Sequence, residues 1–259
     1  MAEEKFSITP ETKRARCVTG ITGLDTILNG GIPRGNSVLI TGSCGTGKTT
    51  LSLEFLVHGA LDGENCLFVS VTESSLKMLN NVVPYDFFDE KLIEDGLLSF
   101  VDIPDIYEDM GVLHKSEFSF DEVNEVVDRL DAIVKEKGIK RLVIDSITSV
   151  CFQLKSEEKI RDFILNLMKT LSARGCTSLL VSEISPEAER YSLYGVEEAI
   201  ADGIILMGNL ERQGDLLRTL QVVKMRGTEH SRAKYVLDLT PVGVLLVPLL
   251  KGGGPEGGD

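Results

Sequence analysis

Basic residues are in short supply in this chain: 27 Lys and Arg stand against 40 Asp and Glu, a formal net charge of −13 over 259 residues. Affinity for a phosphate backbone comes largely from clustered Lys and Arg, so nucleic acid is not an expected partner. Long apolar runs are missing as well. No stretch of about eighteen apolar residues occurs, and the N-terminal MAEEKFSITPETKR lacks the apolar centre of a signal peptide. The expectation is a cytoplasmic protein that does not insert into a membrane. Cysteine is sparse and scattered: the five, at positions 17, 44, 66, 151 and 176, include no C-x-x-C pair. That removes the spacing signals for zinc or dithiol redox chemistry, and all five are expected to be reduced. No internal repeat is present.

What the chain does have is 42% apolar residues, enough at this length for one large α/β domain rather than two small ones. Residues 1–15 mix charges without period and read as a flexible arm, 16–250 as the domain, and 251–259 as a disordered tail. The domain is organised around VLITGSCGTGKTT, residues 38–50. Val38, Leu39 and Ile40 form a buried strand, and Leu51, Phe55, Leu56 and Ala60 repeat at helical spacing after the loop. Between them GSCGTGKT fits GxxxxGK followed by Ser or Thr at every position. Glycine-rich turns are common in themselves; a strand before and a helix after are the context that makes this one a phosphate loop. Its amides and the helix's positive end converge on one centre, a cradle for polyphosphate built from Gly42, Ser43, Gly45, Thr46, Gly47, Lys48, Thr49 and Thr50. Lys48 would reach the β- and γ-phosphates, and the Thr49 hydroxyl would bind Mg²⁺.

Further strands are expected at 66–71, 97–103, 141–145 and 177–181, with helices over 74–83, from 119 to 138 and from 156 to 175. Residues 104–118 read as a polar loop, long enough to be a docking site for a protein partner. From 203 onward four strand-like runs follow without long helices between them. The expected fold is therefore α/β, a mostly parallel central sheet flanked by helices with a C-terminal antiparallel extension.

Leu142-Val-Ile-Asp145 supplies an acid at the end of a second buried strand, where it would hold Mg²⁺ beside the phosphate loop. Glu73, at the end of another strand, has two readings: a base that activates water near the γ-phosphate, or an acid stabilised at the start of a helix. Lys224-Met225-Arg226-Gly-Thr228-Glu-His230 also has two: a solvated strand end, or a basic edge that completes another subunit's nucleotide site as an arginine finger does.

With TGITGLDTILNGGIPRG, GSCGTGKT, LFVSVTES, RLVIDS, YGVEEAIADGIILM and KMRGTEHSRAKYVLDLTPVGVLLVPL together, the chain resembles the KaiC family of RecA-like ATPases from Arg16 to Leu249. Its single-domain form is similar to archaeal members. The resemblance implies a homo-oligomeric ring, usually a hexamer, with ATP and Mg²⁺ between subunits. It makes Thr49 and Asp145 metal-binding, and sends Lys224 and Arg226 to the neighbour's γ-phosphate with Met225, Thr228 and His230 near its nucleotide. Thr72 replaces the first of the two glutamates found in clock KaiC, which implies slow hydrolysis. Glu198 and Ala199 stand where its second domain has a phosphorylated Ser and Thr, which implies no self-phosphorylation of that kind.

The leading expectation is an ATPase that regulates an unknown protein partner. A DNA-dependent ATPase of the recombinase type is the rival. Its DNA loops would fall at 151–159 and 185–202, but in the second of these Arg190 alone faces Glu187, Glu189, Glu197, Glu198 and Asp202. A nucleotide-binding switch with negligible turnover is the third reading.

Overall fold

The computed structural model describes residues 15–187 and 190–249. The expected arm over 1–15, all but its last residue, and the expected tail over 251–259 lie outside the described residues. A small clamp leads into the main sheet. In it β1 (Arg16–Cys17) pairs antiparallel with β2 (Ile32–Pro33), and between them the single-turn α1 (Leu24–Ile27) buries Leu24 and Ile27. Gly31 lets the clamp close: it sits at φ +106°, and a Cβ there would lie 2.4 Å from the Cys17 carbonyl oxygen.

Next comes β3 (Ser37–Gly42), buried along its whole length, with Val38 and Ile40 in the core on one face and Leu39 in the core on the other. It is followed by α2 (Lys48–Leu61), β4 (Cys66–Ser70), α3 (Ser75–Val82), the single-turn α4 (Lys91–Glu94) and β5 (Leu98–Asp102).

Residues 104–118 are only in part the polar loop expected from the sequence. Here α5 (Ile103–Asp109) fills the first part, with Pro104 in its first turn, where a missing N–H costs little. Ile103, Ile106 and Tyr107 are buried at the i, i+3, i+4 spacing of one helix face. Val112 and Phe118 are buried as well, and the Phe118 ring meets Tyr107 edge-on with centroids 4.9 Å apart. The segment is thus anchored to the core by these side chains, while 110–118 has no regular structure and 114–117 are exposed.

The capping box of α6 (Phe120–Lys137) is present: Ser119 Oγ accepts the Glu122 N–H at 3.3 Å, and the Glu122 carboxylate accepts the Ser119 N–H at 2.9 Å. The chain continues through β6 (Arg141–Asp145), α7 (Ile147–Phe152), α8 (Glu157–Ala173), β7 (Thr177–Glu183) and the short α9 (Val196–Ile200). Four strands finish it: β8 (Gly203–Arg212), β9 (Asp215–Met225), β10 (Lys234–Thr240) and β11 (Gly243–Pro248).

Nine strands form one sheet in the order β11-β10-β9-β8-β3-β7-β6-β4-β5. From β8 to β5 neighbouring strands run parallel, and β9, β10 and β11 add the antiparallel extension. Each face carries a core, one packed under α2 and α3, the other under α6 and α8.

Two buried polar contacts fix α2. The Glu54 carboxylate, 2% exposed, accepts the Val244 N–H at 2.8 Å and so ties the helix to the last strand. Arg141, 1% exposed, donates to Glu64 Oε2 at 2.6 Å and to the Phe55 carbonyl at 3.1 Å, with its guanidinium 5.0 Å from the centroid of the Phe55 ring. Burial alone would raise the Glu64 carboxyl. Hydrogen bonds from Arg141 and Arg34 outweigh that and hold it below the usual carboxylate range.

Candidate active site

The parallel strands deliver their C-terminal residues to one edge of the sheet. At that edge β3 ends in Gly42, whose backbone passes so close to β8 that a Cβ would lie 2.1 Å from the Met207 carbonyl oxygen. Gly47, at φ +94°, turns the loop into α2 and leaves that helix without a side-chain cap. The first amides of α2 thus stay available to an anion. Lys48 folds back on its own loop, donating from Nζ to the carbonyls of Gly42 at 2.9 Å and Ser43 at 2.8 Å. Burial pulls its pKa down, while the Glu183 and Asp145 carboxylates oppose that shift.

Asp145 sits at the end of β6, and its Oδ2 accepts a 2.6 Å hydrogen bond from Thr49 Oγ1. Burial raises its pKa against the opposing effects of Thr49 and Lys48. A hydroxyl and a carboxylate in contact beside a phosphate loop are the oxygen donors Mg²⁺ uses together with phosphate and water. No group of three or more His, Cys, Asp or Glu able to hold a metal exists among the described residues, so a metal here would draw on nucleotide oxygens. The residues fit Mg²⁺–ATP.

A cavity of about 360 Å³ opens beside this pair. Thr49, Glu73, Asp145 and Glu183 are among its polar lining residues, and Leu53, Met78 and Val82 among its apolar ones, with Tyr85 beside them. Glu73 lies just before Ser74, the residue that caps α3, and so stands outside the helix's first turn. Its carboxylate pairs with Lys77 at 2.7 Å. Glu73 thus lines the cavity and braces the start of α3 at once.

Sequence reasoning missed three residues here. Glu183 ends an apolar strand, TSLLVSE, in the same way Asp145 ends RLVID, and that shared pattern was the available signal. Tyr85 follows a helix-ending Pro84 and gave no signal. Neither did Arg218, whose Nε donates to the Gly45 carbonyl at 3.1 Å from a strand remote in sequence.

The segment from 224 to 230 is not brought to this edge. Met225 pairs with Gly203, and Gly203 with Val38, four positions before Gly42. At about 3.3 Å per residue the separation along the strands alone is roughly 13 Å. Lys224 Nζ donates to the carbonyls of Glu198 at 3.2 Å and Ala201 at 2.7 Å. Arg226 pairs with Asp202 at 3.5 Å and donates to the Ala199 carbonyl at 3.4 Å. The Thr228 hydroxyl donates to the Leu28 carbonyl at 3.1 Å, and His230 Nδ1 lies 3.2 Å from the Ser231 carbonyl oxygen. Lys224 and Arg226 therefore stand away from their own chain's phosphate loop.

A family model described as "ATPase: KaiC" matches residues 17–251. The chain belongs to the KaiC-like ATPase family. A UPF0273 protein of Pyrococcus furiosus is 35% identical over 239 residues, covering 90% of this chain and 94% of that protein. One from Thermotoga maritima is 35% identical over 248 residues, covering 94% and 98%. The circadian clock oscillator protein KaiC of Synechococcus elongatus is 30% identical over 236 residues, and this KaiC-like chain spans only 44% of its length. Among solved structures, a KaiC-like protein of Pyrococcus horikoshii OT3 superposes with a TM-score of 0.77 at 34% identity, covering 90% of this chain and 99% of that one. The KaiC-like fold, a RecA-type sheet with an antiparallel extension, agrees with the strand order above. No helix among the described residues is long and apolar enough to cross a membrane.

Proposed function

We propose that the protein hydrolyses ATP as a homo-oligomeric ring, expected to be a hexamer, with nucleotide held between adjacent copies, and that nucleotide state regulates a protein partner in the cytoplasm. The observation that carries this reading is the distance between the two halves of the machinery. Phosphate loop, Thr49 and Asp145 meet at one edge, while Lys224 and Arg226 sit about four residues down the strands. A neighbouring copy is the natural source of the missing basic groups.

In the proposed reaction the amides from Thr46 to Thr50 hold the phosphates, and Lys48 exchanges its own loop carbonyls for phosphate oxygens. Thr49 and Asp145 would hold Mg²⁺, which would supply charge neutralisation to the phosphates. Lys224 and Arg226 of the adjacent copy offset the charge that develops on the γ-phosphate, and Thr228 and His230 of that copy lie near the ribose or base; Met225, 5% exposed in its own core, is not available to a neighbour's nucleotide. Glu73 orients the attacking water. Turnover is expected to be slow, since Thr72 provides no acid and Glu73 is engaged by Lys77. Self-phosphorylation is not expected, because Glu198 and Ala199 carry no hydroxyl. The purified protein should release phosphate from ATP with a specific activity that rises with protein concentration as rings assemble. Activity per chain that is constant under dilution to monomer would overturn the shared site.

A further inference from the structure

We propose that Glu183 is a catalytic residue of this site, the base that takes the proton from the attacking water. The inference rests on the ATPase reading above and goes beyond it: Glu73 orients the water, and Glu183 takes its proton.

Three carboxylate residues line the cavity, and two are already engaged. Asp145 accepts the Thr49 hydroxyl at 2.6 Å, and Glu73 pairs with Lys77 at 2.7 Å. Only the backbone N–H of Glu183 is used, donating to Thr148 Oγ1 at 3.0 Å; its carboxylate has no partner among the described residues. The strand order places it beside the phosphate loop. Glu183 is in register with Gly42, whose carbonyl holds Lys48 at 2.9 Å. One strand spacing, about 4.8 Å, therefore separates its backbone from the loop's first residue. An acid on β7 also accounts for a site that keeps a carboxylate for water although position 72 is threonine.

The step balances without a further reactant. The water oxygen bonds to the γ-phosphorus, and the bond from that phosphorus to the bridging oxygen breaks, its electron pair leaving on ADP. The water's proton passes to the Glu183 carboxylate and from there to phosphate.

E183Q keeps the side chain's size and removes its basicity, and an exposed side chain without hydrogen bonds permits the change without unfolding. The expected result for the full chain with ATP and Mg²⁺ is a fall in kcat of about 100-fold or more, within the usual range for loss of a general base. Affinity for Mg²⁺–ATP, read by calorimetry, and the melting temperature should match wild type. The acid limb of the kcat–pH profile should disappear, and E183D should retain part of the activity. E73Q should lose less than E183Q. Unchanged turnover in E183Q, or a loss matched by lost nucleotide affinity, overturns the assignment. Wild-type protein that hydrolyses nothing counts against the ATPase reading itself, whereas active wild type with an equally active E183Q counts against Glu183 alone.

Discussion

Replacing Arg226 with alanine separates a shared site from a private one, because the contacts Arg226 makes within its own chain are weak. Its ion pair with Asp202 spans 3.5 Å with the arginine side chain 54% exposed, and its other contact is a 3.4 Å hydrogen bond to a carbonyl. An exposed pair of this kind contributes about 0–1 kcal/mol. For a chain of this size that corresponds to a shift in melting temperature of no more than about 4 °C. In trans the same side chain would meet the γ-phosphate, and removing a group of that type lowers turnover by about 10³-fold or more. Such a loss corresponds to roughly 4 kcal/mol in the barrier. Stability and turnover therefore respond on different scales. The assay is phosphate release by wild type and Arg226→Ala at equal concentration, alongside thermal melts of both. Near-wild-type turnover in the variant, or a turnover loss accompanied by a melting-temperature drop well beyond about 4 °C, would refute the reasoning.

Glu54→Ala leaves the buried Val244 amide without its 2.8 Å acceptor and should cost about 1–3 kcal/mol by chemical denaturation; an unchanged midpoint would show that the α2–β11 tie contributes nothing. Glu64 is held below the usual carboxylate range chiefly by Arg141 and Arg34 against the effect of burial. Its depressed folded pKa means that the stability it contributes is full above the unfolded value of about 4.3 and is lost as pH falls through the folded value. Melting curves should therefore show wild type losing its advantage over Glu64→Gln as the solution is acidified below about pH 4.3, and parallel curves for the two proteins would contradict this.

Much of the fold was legible because it follows local rules. The glycines of the phosphate loop, the Ser119–Glu122 capping box and the apolar strands at 38–42, 66–70, 141–145 and 177–183 all announce themselves by spacing. The elements that were missed or misread, α4, α5, α7 and α9, run from four to seven residues. Helices that short are marginal alone and form because the sheet and its neighbours bury one side. In α5 two turns carrying Ile103, Ile106 and Tyr107 were obscured by Asp105, Glu108 and Asp109 on the exposed side.

The candidate site divides along the same line. Lys48, Thr49 and Asp145 were readable from a motif and an apolar strand, and they meet in space. Glu183 and Arg218 depend on which strands become neighbours, a long-range outcome that local pattern does not encode. The position of Lys224 and Arg226 is of the same kind: the motif named the residues, and only the register through Gly203 to Val38 placed them away from their own phosphate loop.

Mixing two inactive variants tests the shared site most directly. Lys48→Ala removes the phosphate grip and keeps the basic edge, while Arg226→Ala removes the edge and keeps the grip. In rings assembled at random from equal amounts, a working site needs an Arg226→Ala chain followed by a Lys48→Ala chain, so about a quarter of wild-type turnover should return through head-to-tail contacts. Phosphate release that stays at the level of either variant alone after mixing would contradict a site completed by the neighbouring copy.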